Sequence, residues 1–462
     1  MKYEQKKIKD ICRFIGGSQP PKSEFVYEPR DGYVRLIQTR DRLNDDFITF
    51  IPRNSTTKFC EASDILIGRY GPPIFQIFRG FEGAYNVAIM KADPINGVNK
   101  DYLYYFLLQN SVLKYVDSMS ARTGGQTGVE LDSLYEYPVL LPDATGQEKI
   151  SGVLKSIDNK IKNNEKINIE LEAIATTLYD YWFTQFDFPN ANGKPYRSSG
   201  GKMEWNDQLK CKIPRGWRVG SLANLGTIIS GGTPATDNSM YYSNEGIAWI
   251  TPNDLSGNAH LMYFSHGSRD ITEAGLKNSS AVLMPKGTVL FSSRAPIGYI
   301  AIAENEVSSN QGFKSIVPKK GYGSHFVYYT LKRNTQAIAQ QGVGTTFKEV
   351  SRDTMERFLV ILPPEEIVEK FETILKASFE KRRVLEHENR ELVKLRDWLL
   401  PMLMNGQATF CDSEQNVVDI SVKHQPEQQF AVRQAARSYD DTKPDETADL
   451  IKAYLKRKEN ES

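Results

Sequence analysis

From Gln147 to Trp182 the chain carries one long helical pattern, and no other stretch constrains its fold as strongly. Ile150, Val153, Leu154, Ile157, Ile161, Ile167, Leu171, Ile174, Ala175, Leu178 and Trp182 recur at spacings of three and four. That periodicity lays them along one stripe of a helix, not on alternating faces of a strand. No Pro or Gly interrupts residues 153–183, so nothing in the sequence breaks the rod. At about 1.5 Å per residue it extends roughly 54 Å. Lys160 and Asn164 fall on the expected stripe; a polar residue there lowers stability and fixes register or partner.

A second stretch, about 221 residues later, repeats the register. Ile150, Ile157, Asn164, Leu171 and Leu178 become Phe371, Ser378, Leu385, Leu392 and Leu399. The companion row, Val153, Lys160, Ile167, Ile174 and Tyr181, becomes Ile374, Lys381, Glu388, Leu395 and Met402. Val139-Leu140-Leu141-Pro142 leads into the first rod and Val360-Ile361-Leu362-Pro363 into the second. Leu178-Tyr-Asp-Tyr-Trp-Phe183 and Asp397-Trp-Leu-Leu400 close them. Two rods that cannot bury their seams alone are expected to pack on each other. Ile150, Ile157, Leu171 and Leu178 would then face Phe371, Leu385, Leu392 and Leu399. Two unrelated core helices are the alternative.

With 462 residues, the chain has room for two or three domains. Lys and Arg number 58 against 57 Asp and Glu, so a nucleic-acid binder of this composition needs its charge sorted locally. Cys12, Cys60, Cys211 and Cys411 form no CxxC, and five scattered histidines offer no metal-ligand spacing. Without a leader-like or long apolar run, a reducing cytoplasm is expected, with no membrane span, disulfide or zinc knuckle.

The globular parts also repeat. Residues 1–142 read as a first domain, 143–186 as the first long helix, 187–212 as a polar linker, 213–363 as a second domain, 364–406 as the second long helix, and 407–462 as a polar tail. The turn at Gly16-Gly17 returns within Leu225 to Pro234, and Val34 to Asp41 returns as Ile247 to Asp254. Asp64 to Pro73 matches Gly287 to Pro296, and Tyr85-Asn86 matches Ser309 to Phe313. The helix from Asp101 to Val116 matches Ser324 to Gln340, and the Gly-rich loop Arg122 to Gly128 matches Gly342 to Phe347. Strand-like runs mixed with helices make the fold class α+β: two α/β domains in tandem, each followed by a long helix. Frame residues recur while loop residues differ, as in one scaffold built twice with two binding surfaces.

Catalytic patterns are missing. Gly71-Pro72-Pro73-Ile74 lacks the Asn or Asp that an adenine methyltransferase loop uses to hold the amino group, and there is no GxxxxGK[ST] phosphate loop. No acidic cluster with a nearby Lys suggests a nuclease. The loops instead carry donors suited to DNA, where Arg reads guanine, Asn or Gln reads adenine, and Ser or Thr reads either. Gly-rich turns add backbone N–H groups for phosphates. The candidates in the first domain are Ser18, Gln19, Gln38, Arg40, Arg69, Tyr70, Asn86, Arg122, Gln126 and Thr127. In the second they are Thr233, Thr251, Asn253, Ser292, Ser293, Arg294, Asn310, Gln311, Thr345, Thr346 and Lys348. The plainer role for each is a solvated turn. For the pairs Arg69/Arg294 and Asn86/Asn310 it is buried hydrogen bonding that fixes the loop.

Ile213-Pro-Arg-Gly-Trp217, Gly231-Gly-Thr-Pro234, Leu362-Pro-Pro364 before the second rod and Leu395-Arg-Asp-Trp-Leu-Leu400 near its end add local marks to this order of parts. Over about residues 1 to 410 the chain resembles the specificity subunit of type I restriction–modification systems. The resemblance implies two target-recognition domains, each reading half of a split, asymmetric site in double-stranded DNA. It implies that the helices pair as an antiparallel coiled coil that sets the spacer and docks two modification subunits. Those methylate adenine with S-adenosylmethionine, and restriction subunits add ATP- and Mg-dependent translocation and cleavage. No cofactor, metal or catalytic residue is expected on this chain. The alternatives are a coiled-coil scaffold whose domains bind protein, and a self-contained methyltransferase or nuclease.

Overall fold

The computed structural model describes residues 2–42, 44–71, 73–119, 122–123, 126–344, 348–411 and 419–422; at 122, 123, 126, 127 and from 409 onward only the backbone is described. Two helices dominate it. The first rod spans Ala144–Tyr179 and continues through one π turn, Asp180–Thr184. The second spans Glu365–Met404. Their 36 and 40 residues give lengths of about 54 and 60 Å. Asp143 precedes the first rod and accepts the N–H of Gly146 at 2.9 Å, filling an otherwise open donor of the first turn. Among the described residues, no helix is long and apolar enough to cross a membrane.

The described residues form two compact units, one from residues 2–162 with 391–411 and 419–422, the other from 163–390. In the first unit, Cys12–Gly16, Ile89–Pro94, Ile65–Gly68 and Ile77–Phe78 form a four-stranded sheet in that order. A second sheet orders Phe50–Pro52, Tyr33–Ile37, Gly83–Tyr85 and Phe59–Cys60. Tyr3–Lys7 pairs with Pro138–Pro142, so the start of the domain clasps the strand that feeds the rod. In the second unit a five-stranded sheet orders Gly226–Ser230, Lys314–Pro318, Val289–Ser293, Ile297–Ala303 and Tyr263–Phe264. Arg218–Ser221 clasps Leu359–Leu362 in the same manner, ahead of the second rod.

Along the rods one row of residues at heptad spacing is largely covered. Ile150, Ile157, Asn164, Phe371, Ser378, Leu385 and Leu399 are buried, and Leu171, Leu178 and Leu392 are half-buried. The companion row is displaced by one residue. Gln147, Leu154, Ile161 and Ala175 are buried, as are Val368, Leu375, Arg382 and Leu403, whereas Ile374 is 47% exposed. Residues three and four places along a helix flank the same neighbour. The apolar residues Val153, Ile174 and Leu395 made the wrong flank plausible, and packing against the globular parts selects the other. The shift also leaves Lys160 and Lys381 exposed. Asn164 stays on the seam, where its amide donates to Glu388 Oε2 and Asn389 Oδ1, both at 2.8 Å.

Each unit fastens its domain to the rods through a tyrosine, a carboxylate and an arginine. In the first, the Tyr105 hydroxyl donates to Asp158 Oδ2 at 2.6 Å and Arg396 Nη1 donates to Asp158 Oδ1 at 3.0 Å. In the second, the Tyr329 hydroxyl donates to Glu172 Oε2 at 2.9 Å, and Arg382 is paired with the same carboxylate. The carboxylates lie two heptads apart on the first rod and the arginines two heptads apart on the second. Burial raises both tyrosine pKa values, and the adjacent carboxylates raise them further, so both hydroxyls remain donors. Arg382 goes deeper. Its Nε donates to Glu386 at 2.7 Å and its Nη2 to the His260 carbonyl at 2.8 Å, while Glu386 accepts the N–H groups of Met262 and Tyr263. Burial opposes the Arg382 charge, but Glu386 and Glu172 more than offset it and keep the guanidinium protonated.

In the segment 187–212, read as a polar linker, Asp187 and Phe188 are buried and most of the other residues are exposed. Phe186 and Phe188 are buried, and Phe188 stacks on Trp217 at 5.0 Å and on Tyr196 at 4.7 Å. Asp187 accepts the backbone N–H of Ser198 at 2.7 Å. A few well-placed rings anchor a stretch whose average composition is polar.

Leu375→Ala should cost about 2–5 kcal/mol, and Ile374→Ala well under that, in chemical denaturation; equal costs would contradict the displaced seam. Arg382→Ala strands Glu386 and should cost about 3–5 kcal/mol, with a smaller loss for Arg396→Ala, whose side chain is 30% exposed.

Candidate nucleic-acid interface

In the first unit the strand ends converge. Gly16 pairs with Met90 and Gly68 with Ile89, which puts the ends of two strands beside the start of a third. Tyr33–Ile37 and Gly83–Tyr85 run parallel and deliver Gln38 and Asn86 to neighbouring positions. Ser18, Gln38, Arg69, Tyr70 and Asn86 therefore gather at one end of the frame. The Ser18 hydroxyl bonds that of Thr56, and the Gln38 amide donates to Thr49 at 3.0 Å. Gln19 and Arg40 are exposed, and the Arg40 guanidinium lies 5.7 Å from the centre of the Phe47 ring. Asp41 below them is held above the usual carboxylate range by burial, against the pull of its Gln38 N–H bond and of Arg35 and Arg40. Arg122 pairs with Thr127 in a two-rung hairpin that includes Gln126; the side chains of these three candidates lie outside the described residues.

The second unit repeats this convergence. Ser230 pairs with Lys314, and Trp249–Ile250 runs parallel to Ser308–Ser309, delivering Thr251 and Asn310. The Thr233 hydroxyl bonds the Gln311 side chain. Thr251 caps the short helix Pro252–Ser256, donating to Asp254 at 2.7 Å, and Asn253 is exposed on that helix. Gln311 and Lys348 are exposed, and Thr345 and Thr346 lie outside the described residues. Ser292 and Ser293 are fully buried. Their hydroxyls donate to the carbonyls of Pro296 at 2.8 Å and Gly312 at 3.1 Å, so both brace the loop from inside.

The two frames match bond for bond. Asn86 Oδ1 accepts the N–H of Ala88 at 3.1 Å, and Asn310 Oδ1 accepts that of Gly312 at 2.9 Å. A Cβ on Gly17 would land on the carbonyl oxygens of Asn86 and Tyr85, and one on Gly231 on those of Asn310 and Ser309. The Asn side chains and glycines thus hold each loop against the strand beside it. Arg69 donates its N–H to Ala88 and accepts that of Val129; Ser293 donates to Gly312 and accepts from Val350. By these bonds Arg69 corresponds to Ser293, and Tyr70 to Arg294. Pairing Arg69 with Arg294 by residue type is one position out of step, because the backbone ladder, not side-chain identity, sets equivalence.

Tyr70 is bridged to Gly128, and Arg294 to Glu349. The Arg69 guanidinium lies 5.2 Å from the Tyr70 ring centre. Arg294 faces Glu349 at 3.6 Å, and Lys314 faces the other oxygen of that carboxylate at 3.3 Å. The sequence reading missed Glu349 and Lys314. The available signal was an acidic residue just past the second Gly-rich loop, where the first copy has Gly128.

Residues 1–173 and 214–394 match the family described as type I restriction modification DNA specificity domain. The specificity subunit of the type I restriction enzyme MjaIX of Methanocaldococcus jannaschii is 27% identical over 428 residues, covering 88% of this chain and 93% of that protein. That of the HindI enzyme of Haemophilus influenzae is 24% identical over 446 residues, covering 81% and 94%. A solved S subunit of a type I restriction–modification system from M. genitalium shares the fold with a TM-score of 0.54 at 14% identity, over 87% of this chain and 96% of that one.

Gly231→Ala should cost about 1–3 kcal/mol by forcing the loop off its neighbour, and Asn310→Ala about 1 kcal/mol. Asn310→Asp, which keeps the acceptor, should restore most of that loss; thermal melts of the three variants check the order.

Proposed function

Because the chain belongs to the type I restriction modification DNA specificity family, we propose that it chooses the DNA sequence on which a type I complex acts and performs no catalysis itself. One observation carries this reading: two frames with the same backbone bonds present different side chains at equivalent loop positions. Rigid frames with divergent polar loops suit two separate readings of base edges. Each repeat reads one half of a bipartite, asymmetric site in double-stranded DNA. The domain division of residues 1–142 and 213–363, with the rods at 143–186 and 364–406, belongs to this proposal, as does a cytoplasmic location.

The rods act as an antiparallel coiled coil that sets the spacer and docks two modification subunits. Support comes from the rod-to-rod contacts of the second unit: Asn164 meets Glu388, Glu172 meets Arg382, and Tyr179 meets Phe371, so partners descend along one rod as they ascend the other. S-adenosylmethionine belongs to the modification subunits, and ATP with Mg to restriction subunits. Among the described loop candidates for DNA contact, Gln19, Arg40, Tyr70, Asn253, Gln311 and Lys348 are exposed, with Ser18, Gln38, Arg69, Asn86, Thr233, Thr251, Arg294 and Asn310 half-buried beside them.

Adenine-methylation mapping of host DNA, with and without this gene, should show a split asymmetric motif that vanishes on deletion. An unchanged methylome together with sequence-independent binding by the purified complex would favour a protein scaffold. Methylation by this chain alone would favour a self-contained enzyme. With a net charge of +1, the isolated chain should bind weakly and the complex tightly, since phosphate contacts dominate non-specific affinity.

A further inference from the structure

We propose that Arg294, steered by Glu349, reads a guanine in the half-site served by the second repeat, a demand that Tyr70 and Gly128 do not make in the first. This rests on the DNA-specificity reading and names its chemistry at one position. The two places are the same place in the frame, fixed by matching bonds from Arg69 and Ser293 to the neighbouring strand and to Val129 and Val350. Their side chains are chemically opposed. In the first copy an aromatic ring, 39% exposed, lies over a glycine: the Gly128 Cβ position would be 3.3 Å from Tyr70 Cδ1. In the second, the Arg294 and Glu349 side chains are 36% and 38% exposed, and Lys314 beneath them is only 9% exposed.

The charges suit base reading. A guanidinium bonds guanine O6 and N7 in the major groove, and a carboxylate accepts from the cytosine amino group. An Arg beside a Glu therefore suits a G·C pair, and here the Glu orients the Arg. At 3.6 Å the Arg294–Glu349 contact is loose enough to be redirected by a base edge. Lys314, held against Glu349, offsets the carboxylate near a phosphate backbone. Glu349 is thus a positioning residue, and Tyr70 offers a ring that packs on DNA without demanding guanine.

The test uses this chain assembled with its modification subunits and a panel of duplexes bearing the mapped site with each base pair changed in turn. The wild-type complex should discriminate at a G·C pair in one half-site. Arg294→Ala should flatten that discrimination about 5- to 150-fold and leave the other half-site profile intact. Glu349→Gln should weaken discrimination at the same pair while binding to non-specific DNA does not fall, which a merely structural role does not produce. Tyr70→Ala should change only the opposite half-site. A full retention of discrimination by Arg294→Ala, or an equal loss across both half-sites in a variant that melts normally, overturns the inference while the DNA-specificity reading stands. A wild-type complex indifferent to sequence overturns both.

Discussion

A long helix with one apolar stripe is unstable alone in water, because its backbone bonds do little more than offset the entropy of ordering it. Both rods here carry such stripes, and everything else depends on their being covered. In the first unit, Ile150, Leu154, Ile157 and Ile161 share a core with Leu399, Leu400 and Leu403 and with the domain residues Tyr102 and Tyr105. In the second, Ala175, Tyr179 and Trp182 share one with Phe371, Leu375 and Phe379 and with Phe326 and Tyr329. Rod and domain are therefore single cores, not beads on a stalk.

The seams also carry charge. Arg382 and Glu386 are almost fully buried, a placement that costs desolvation and is tolerated only when every donor and acceptor is met. The His260 carbonyl and the Met262 and Tyr263 N–H groups meet them. These contacts are directional, so they fix where one loop of the second domain sits on its rod. Apolar burial alone tolerates sliding; a carboxylate accepting two backbone N–H groups does not. The smaller Tyr105–Asp158–Arg396 arrangement does the same for the first unit.

The loop frames show how a scaffold is kept while a surface changes. Gly17 and Gly231 let backbone approach backbone, and Asn86 and Asn310 close the same turn. Those residues are fixed by sterics and hydrogen bonding. Tyr70 and Arg294 hold the same bridged backbone position but carry different side chains, and there the two copies diverge.

Sequence alone determined the two long helices and the tandem repeat, because period and spacing are properties of a linear string. It marked the turns at Gly17 and Gly231 and at Asn86 and Asn310, since Gly and Asn mark turns wherever they occur. It did not decide which flank carried the second seam row, because positions three and four along suit a helix equally. Nor did it see that Ser292 and Ser293 face inward, that the stretch 187–212 is anchored by Phe188 on Trp217, or that Arg294 answers to Glu349 across a bridge. Each of these rests on a contact between residues distant in the chain, or on which side of a strand meets a core. Only the tertiary structure sets those.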